Sequence, residues 1–391
     1  MTDTPPTTRK RGRPKGSKNK SPPLAQAGTD LFQLPLADEG LAFSAKPPHI
    51  IVASSTPVAT VVFDTYWRFA CERQSLFFNK IRRPNQPPWT DDPILRKHKF
   101  TNAYRASDRV SQYLIRNVIN CADTWLRRPE EIFFRTLLFK FFNKIETWER
   151  LEKQFGAISW AEYDFDRYDA VLTKSIESGQ TIYSAAYIMP SGRSAFGHER
   201  KHRNHLMLLE KMMGDRLPAR LHQENPPLSN VFETILTYPG IGNFLAYQYA
   251  IDLNYTDLIN RSEDEFVVPG PGALDGIAKC FSSIGAYSPA DVIRYAKDQQ
   301  ETVCNKLGIS FPDLWGHPLH LIDCQNLFCE VDKYARVKHP EFKGRSDRSR
   351  IKQIYRPSVG AIDYFFPVKW GINERIAQDP GYLNHASPVR G

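Results

Sequence analysis

Apolar residues recur every three to four positions over most of the chain after residue 60, which predicts a mostly helical protein. The first such segment runs from Phe63 to Ile81 and ends at a proline-rich stretch, 82–88. Residues 133–142 are apolar on all sides, so they predict a central buried helix. Residues 181–188 fit either a short strand or an apolar helix. Further helices are predicted at 99–114, 160–177, 199–213, 288–307 and 317–337.

A glycine-rich turn separates two of the apolar helical segments. The helical period that starts at Val231 stops at Pro239-Gly240-Ile241-Gly242 and resumes from Phe244 to Leu253. A glycine turn that opens a helix presents backbone N–H groups to an anion such as a phosphate. Residues 231–253 resemble the helix-hairpin-helix of DNA-repair glycosylases, and the resemblance implies DNA contacts by Pro239, Gly240, Ile241, Gly242 and Asn243. The alternative is a plain helix hairpin without a ligand.

Length and composition indicate how the chain is divided into domains and tails. The chain has 391 residues, 41% of them hydrophobic, with 24 Phe and 17 Tyr, which is enough for a sizeable core. Composition divides the chain into a disordered tail (1–30), a linker or arm (31–58), a helical body (59–340) that binds DNA and carries the catalytic site, and a basic C-terminal extension (341–391).

The net charge of +9 permits a polyanionic partner without requiring one. Much of the excess lies in the first twenty residues, where Arg11-Gly12-Arg13-Pro14 resembles an AT-hook. Such a segment can lie extended, so that both guanidinium groups enter a narrow A·T-rich minor groove. The alternatives are a generic basic tail or a nuclear localisation signal.

Cysteine and membrane patterns exclude several protein classes. The six cysteines form no C-x-x-C pair, so neither a zinc ribbon nor a disulfide framework is indicated. We expect no metal and no cofactor. No apolar run is long enough to span a membrane, and the basic N-terminus is unlike a signal peptide. We therefore expect an intracellular protein, in the cytoplasm or nucleoid of a bacterium or in the nucleus of a eukaryote.

Several short motifs together resemble one family, over roughly residues 60–340. It is the helical domain named after 5-hydroxymethyluracil DNA kinases, also described as alpha-glutamyl/putrescinyl thymine pyrophosphorylases. The resemblance implies hypermodified bases in phage DNA and a remote relationship to helix-hairpin-helix glycosylases. It also points to an antiphage glycosylase that removes alpha-glucosylated hydroxymethylcytosine. The motifs are at residues 66–74, 88–95, 100–105, 139–143, 270–273 and 329–334.

The kinase in the family name has no matching motif in this sequence. A P-loop needs G-x-x-x-x-G-K-[ST], and no Gly-Lys pair occurs anywhere in the chain. Kinase activity is therefore the least favoured enzymatic prediction. Removal of a base instead needs a carboxylate near the positive charge that develops on the sugar. Asp264 and Asp275 follow the hairpin and are the candidates. The alternatives are a solvated acidic loop for Asp264 and a carboxylate favouring a helix N-terminus for Asp275.

A decorated base needs a roomy pocket with several hydrogen-bonding groups. Two alternatives remain open: an Asx-type turn at residues 91–93, and an intrahelical pair of Glu330 with Lys333. The predicted pocket residues are Asp91, Asp92, Asn102, Tyr104, Arg105, Gly270, Gly272, Glu330 and Lys333.

These features together predict a DNA glycosylase with a helix-hairpin-helix fold. It would flip a hypermodified pyrimidine out of double-stranded DNA and excise it, in a setting of antiphage defence. Two alternatives stay open. One is a transferase or pyrophosphorylase that builds hypermodified thymine in DNA, and the other is a non-catalytic DNA-binding adaptor. The sequence does not specify the oligomeric state.

Overall fold

Helices make up most of the chain in the computed structural model, which describes residues 56–383. Two short strands, β1 (Val58–Ala59) and β2 (Phe281–Ser283), pair antiparallel. Short 3-10 helices span Arg105–Ser107, Thr124–Arg127 and Val368–Trp370, and a π-helical turn spans Leu114–Ile119. The α-helices are α1 (Val61–Arg82), α2 (Pro93–Lys97), α3 (Arg109–Tyr113), α4 (Pro129–Phe142), α5 (Ile145–Phe155), α6 (Phe165–Glu177), α7 (Arg193–Phe196), α8 (Lys201–Gly214), α9 (Leu217–Glu224), α10 (Leu228–Leu236), α11 (Asn243–Asn254), α12 (Pro271–Cys280), α13 (Pro289–Asp298), α14 (Gln300–Leu307), α15 (Leu321–Lys338), α16 (Asn373–Gln378) and α17 (Pro380–Leu383).

The most buried helices are α4 and α11, which pack against each other. On α4, Phe133, Phe134 and Leu137 have no exposed surface. This confirms the central helix that the apolar run predicts. Helix α11 buries every residue from Leu245 to Asn254, including three polar side chains. Burial of that kind requires internal partners for the polar groups, and the partners of Gln248 and Asp252 form the site described below.

Two glycines allow α12 and α15 to approach closely. A Cβ atom at Gly276 would lie 2.0 Å from the carbonyl oxygen of Phe328, and one at Gly272 would lie 2.2 Å from Sγ of Cys329. Neither position has room for a side chain, because real Cβ atoms essentially never come that close to another heavy atom. The pair of helices therefore forms a tightly packed unit, which α1 and α13 cover.

The predicted helix over 99–114 is broken in the structure. Side chains bind the backbone in its place: the Asn102 amide donates to the Ser107 carbonyl at 2.7 Å, and Asp108 Oδ1 accepts from the Asn102 N–H at 2.9 Å. Asn, Ser and Asp compete with helical hydrogen bonds in this way. The chain consequently turns at Arg105, and this turn directs the side chain of Arg105 into the core.

Two other predictions change in detail. The helix expected over 288–307 is divided at Gln299 into α13 and α14. Residues 181–188 form neither strand nor helix. The helix, turn and helix expected over 231–253 are present as α10 and α11, and the basic stretch 343–356 has no helix.

The predicted AT-hook at residues 11–14 lies outside the described residues, as does the linker up to residue 55. Within the described part of the chain, no helix is long and apolar enough to cross a membrane.

Candidate functional site

The turn between α10 and α11 leaves a helix N-terminus at the surface. Gly240 adopts φ +79°, a backbone conformation that residues with side chains rarely adopt. Gly242 precedes α11, and no side chain caps the N–H groups of the first turn of this helix. Gly242 and Asn243 are exposed, while Ile241 is buried and anchors the turn. This geometry suits an anion. DNA contact by residues 239–243 stays a prediction.

A fully buried carboxylate, Asp252, lies at the centre of a polar cluster on the inner face of α11. Its Oδ1 is 2.8 Å from Nη2 of Arg105, and its Oδ2 is 3.3 Å from Nζ of Lys140. Arg105 also donates to Oε1 of Gln248 at 2.9 Å and to the Tyr255 hydroxyl at 3.2 Å. We call these five residues the Asp252 cluster. It joins the turn before α3, helix α4 and helix α11.

The Asp252 cluster holds two cationic side chains against one carboxylate. Burial lowers the pKa of Lys140 to about 8, although Asp252 opposes that change. Burial also acts to lower the pKa of Arg105, but Asp252 outweighs it, so that pKa is raised. Only 4% of Arg105 and 2% of Lys140 is exposed. Two desolvated cations that share one carboxylate form a suitable environment for a further anionic group.

Two aromatic rings connect the Asp252 cluster with the turn. Nζ of Lys140 lies 4.8 Å from the ring centroid of Tyr187, and that ring stacks on Phe244 at 5.4 Å with an interplanar angle of 17°. Phe244 belongs to the first turn of α11 and is 38% exposed. Tyr187 adopts φ +55°, an unusual conformation for a residue other than glycine. The pair covers Lys140 directly beside the exposed helix N-terminus.

A histidine–carboxylate pair lies at the start of α15. Nδ1 of His320 is 2.8 Å from Oδ2 of Asp264, and Nζ of Lys297 is 3.1 Å from the same oxygen. Burial acts to raise the pKa of Asp264, but His320 and Lys297 outweigh it, so that pKa is lowered. Burial likewise acts to lower the pKa of His320, and Asp264 reverses the effect, so that pKa is raised. The pair is partly exposed and is chemically able to donate a proton.

One carboxylate links this pair to the Asp252 cluster. Asp323 accepts the backbone N–H of Arg105 at 2.8 Å through Oδ1 and that of His320 at 3.1 Å through Oδ2. Burial raises the pKa of Asp323 to about 6 and that of Glu263 to about 7. Glu263 accepts from the indole of Trp370 at 3.2 Å. Buried carboxyl groups that titrate near neutrality are typical of functional sites.

Two further features bear on what the chain can bind. In the described residues, no group of three or more His, Cys, Asp or Glu side chains could hold a metal ion. A groove of about 310 Å³ lies elsewhere and shares no residue with the Asp252 cluster. It is lined by Leu76, Pro87, Pro88, Trp89, Thr90, Arg96, Tyr355 and Pro357.

Residues 60–344 match the family described as "5-hmdU DNA kinase, helical domain". The chain belongs to this family. A relative, the "5-hmdU DNA kinase" of Bacillus phage SP10, is 26% identical over 286 residues, which are 70% of this chain and 45% of the relative. The chain thus spans less than half the length of that kinase. No solved structure matches the chain.

Membership of the 5-hmdU DNA kinase helical-domain family overturns the main functional prediction. The family and the phage relative are both named for a DNA kinase, which is a transferase, so the prediction of a hydrolytic DNA glycosylase was wrong. The features that led to it were a DNA-binding type of turn and nearby carboxylates. Any enzyme that acts on a base in DNA can use these features, so they do not distinguish excision from transfer. The transferase alternative agrees better with the family.

The predicted base-pocket residues do not lie in one pocket. Arg105 belongs to the Asp252 cluster, whereas the buried hydroxyl of neighbouring Tyr104 donates to the carbonyl of His317 at 2.7 Å. Asn102 accepts from Arg73 at 2.5 Å on the α1 side of the turn. The structure therefore places three residues of one short segment in three different environments.

The remaining polar candidates have local partners that agree with the structural alternatives. Nζ of Lys333 is 2.6 Å from Oε2 of Glu330 on the same helix. Asp92 caps α2, accepting from two N–H groups of its first turn, while Asp91 is fully exposed and pairs with Arg96. A role of these residues in base binding stays a prediction.

Asp275 and the two glycines near it also have local roles. Asp275 is buried and accepts from the backbone N–H of Ser346 at 2.8 Å, and Nη2 of Arg348 is 3.2 Å away. It therefore ties the C-terminal segment to α12. Gly272 gives room for Cys329, whereas a Cβ atom at Gly270 would lie 3.2 Å from the Phe244 ring. Of these positions, Gly270 is the one beside the aromatic pair.

Sequence reasoning missed most of the Asp252 cluster. Lys140, Gln248 and Asp252 were read as parts of apolar helices, and Tyr187 as part of an undecided segment. A signal was present in the sequence: Lys140 stands inside a run of five phenylalanines and leucines, and Asp252 follows a buried apolar stretch. Charged residues in otherwise apolar helices are buried only with partners, so each predicts an internal partner elsewhere.

Proposed function

We propose that this chain is the base-binding part of a transferase that builds modified pyrimidines in double-stranded DNA. In this proposal the Asp252 cluster binds the phosphorylated 5-hydroxymethyl group of the base. The observation that carries it is the sharing of one buried carboxylate by Arg105 and Lys140. A guanidinium fork and an ammonium together are well suited to phosphate oxygens.

The family name supports a modified base in DNA as the substrate, and the motifs of this chain restrict which step of the modification we assign to it. The relative's printed name refers to a kinase of 5-hmdU in DNA, and more than half of its length lies outside the match. This chain has no P-loop sequence. We therefore assign it recognition and replacement of the phosphorylated group. The phosphorylation step itself would need a nucleotide site, and the matched region contains no P-loop sequence.

In the proposed reaction, a nucleophile attacks the methylene carbon of the base. The carbon–oxygen bond breaks, and the phosphate leaves toward Arg105 and Lys140. His320, held by Asp264, donates a proton to the leaving group or takes one from the nucleophile. An anion that gains charge as it leaves is stabilised most by cations already fixed in place.

DNA reaches this site by extrusion of the target base, which costs a few kcal/mol. The turn at residues 239–243 would bind a phosphate, as in helix-hairpin-helix proteins. We propose no similarity to the glycosylases beyond this turn. Tyr187 and Phe244 would stack on the extruded base, and a stacked base contributes about 1–3 kcal/mol. An antiphage role would require that the DNA of an infecting phage be the substrate.

The test uses the full chain and duplexes with a single 5-hydroxymethyluracil, either free or phosphorylated, together with a panel of primary amines. Nucleosides are then analysed by mass spectrometry. With the phosphorylated duplex only, we expect release of phosphate and a base that carries the amine in place of the phosphate. Unchanged bases with every duplex and amine would leave the DNA-binding adaptor as the better description.

A matched pair of variants tests the role of Lys140. Lys140→Gln should lower the rate of phosphate release at least 100-fold, because the leaving anion loses a fixed cation. Lys279 is the control, since it is also a buried lysine paired with an aspartate, Asp332, at 2.8 Å. Lys279→Gln should reduce the melting temperature and leave the rate within about threefold. Equal rates for both variants would contradict the proposal.

A further inference from the structure

The segment that follows α15 carries an unusual concentration of positive charge. We call residues 343–356 the basic strap. All of its basic side chains are exposed. It contains one acidic residue, Asp347, and six basic residues: Lys343, Arg345, Arg348, Arg350, Lys352 and Arg356.

The strap holds a large share of the charge excess of the whole chain. The first twenty residues contain seven basic residues and one acidic residue, for a net charge of +6, and the strap has a net charge of +5. Because the whole chain has a net charge of +9, everything else is slightly acidic in total. The strap is thus a local cationic feature rather than part of a uniformly basic surface.

Contacts to three parts of the body hold the strap in place. Near its start, buried Asp275 accepts from Ser346, as described above. In its middle, Arg336 of α15 donates to the carbonyl of Arg350 at 3.1 Å. At its end, the Lys99 N–H donates to the Gln353 carbonyl and the Tyr355 N–H donates to the Lys97 carbonyl, both at 3.0 Å. A cationic segment that is already ordered loses little conformational entropy when it binds a partner.

Most of the cationic side chains of the strap have no partner in the described part of the chain. Within residues 56–383, the structure gives no hydrogen bond or ion pair to the side chains of Arg345, Arg350, Lys352 and Arg356. Like charges that are held together without counter-charges repel one another, which favours a polyanionic partner. The strap also pairs with residues 97–99, which lead directly into the turn that carries Arg105. It therefore lies along the chain segment that enters the Asp252 cluster.

We infer that the basic strap binds the phosphate backbone of duplex DNA, outside the site that takes the base. The choice of duplex DNA as the partner rests on the proposed function. The charge of the strap and its contacts with the body do not depend on that function. Contacts of this kind position a protein on DNA without reading its sequence. Each neutralised phosphate releases counterions, so the affinity must fall steeply as salt is added.

The experiment compares two triple variants of the full chain. Arg345→Gln/Arg350→Gln/Lys352→Gln removes three unpaired charges of the strap. Arg128→Gln/Lys153→Gln/Lys174→Gln removes three exposed charges elsewhere and is the control. Affinity for an unmodified 20-base-pair duplex is measured by fluorescence anisotropy at several salt concentrations. The strap variant should bind at least tenfold more weakly at low salt, and the slope of log K against log salt should become shallower by roughly 2 to 3.

Several outcomes would overturn the inference. One is a strap variant that matches the control variant in both affinity and slope. Another is a loss of affinity for single-stranded RNA without a loss for duplex DNA, which would make RNA the partner. Circular dichroism checks the fold, and Arg345→Lys/Arg350→Lys, which keeps the charges, should bind within about threefold of the unaltered chain.

The base-modification assay separates this inference from the proposed function. If both hold, the strap variant should need more DNA for half-maximal rate and reach the same maximal rate. If the unaltered chain binds duplex DNA through the strap but changes no base, the proposed function fails and the strap inference stands.

Discussion

Arg105 makes contacts through both its backbone and its side chain, and these contacts define the site at the scale of single residues. Its guanidinium group reaches Asp252, Gln248 and Tyr255, while its N–H binds Asp323. Buried charges of this kind are stable only as a set, because loss of one partner leaves another unpaired in a medium of low dielectric constant. Glu263 and Asp323 belong to the same region, and burial shifts both toward the neutral form.

Glu263 gives a prediction for stability against pH. Burial raises its pKa from 4.5 to about 7, so between these values the folded chain keeps a proton that the unfolded chain has lost. The contribution of Glu263 to the free energy of unfolding is therefore highest below pH 4.5 and falls as the pH rises toward 7. Glu263→Gln should remove that fall and stabilise the protein above pH 7 by about 3 kcal/mol at most.

Urea unfolding curves between pH 5 and 8 measure this effect. Asp298→Asn, at the exposed end of α13, is the control and should leave the pH dependence unchanged. A Glu263→Gln curve parallel to that of the unaltered chain would show that Glu263 is ionised in the fold throughout this range.

At the scale of elements, the close packing of α12 on α15 fixes the position of the helix that carries part of the site. The N-terminus of α15 carries His320, Asp323 and, further along, Cys329, while α12 presents its glycines to the same helix. At Gly276 the contact is with the backbone of Phe328, so a side chain there would force α12 and α15 apart. The position of the His320–Asp264 pair therefore depends on a contact that contains no functional group.

Gly276→Ala tests this contact. Its Cβ would lie 2.0 Å from a backbone oxygen, so the helices must separate, and we expect a loss of about 3 kcal/mol in the free energy of unfolding. Gly214→Ala at the end of α8 is the matched control, since nothing lies within 4 Å of the added atom. It should change stability by less than about 1 kcal/mol. Similar unfolding free energies for the two variants would contradict the close approach.

Hydrophobic period predicted α1, α4, α8 and α15, because each buries an apolar stripe or is apolar on all sides. It failed over 99–114, where side chains of Asn102 and Asp108 compete for the backbone, and at Gln299, where nothing in the period indicates a break. The sequence named Arg105 for a base pocket and Asp264 for its place after the hairpin, and the roles of both stay predictions. Arg105 and Lys140 each pair with Asp252 across more than a hundred positions of sequence, and periodicity does not encode such contacts.

At the scale of the whole molecule, the basic strap is joined to the body by a few hydrogen bonds, whereas the chain after it packs into the core through Tyr364 and Phe366. Asp275 supplies the main contact from α12, with bonds to Ser346 and Arg348. Charge-assisted hydrogen bonds to a buried carboxylate contribute about 1.5–3 kcal/mol each. Loss of the Asp275 bonds would therefore release the start of the strap from α12, while its contacts with Arg336 and residues 97–99 remain.

Asp275→Asn should loosen the strap while the rest of the chain stays folded. Limited trypsin digestion should cut within residues 343–356 about tenfold faster, since the backbone there is released from α12. Asp347→Asn makes the same charge change on an exposed residue of the strap and should digest at the rate of the unaltered chain. Equal digestion of both variants would mean that the Asp275 contact does not hold the strap.

The two sides of the proposed base site differ in how far their residues can change without loss of buried contacts. Arg105 binds carboxylates of α11 and α15 at once, so the distance between those helices is fixed and that wall cannot widen without breaking a buried ion pair. The opposite wall is Tyr187, which lies on an irregular segment and covers Lys140 with its ring. Members of the family that accept bulkier bases are therefore expected to differ between α6 and α7, while the positions of Arg105 and Asp252 stay constant.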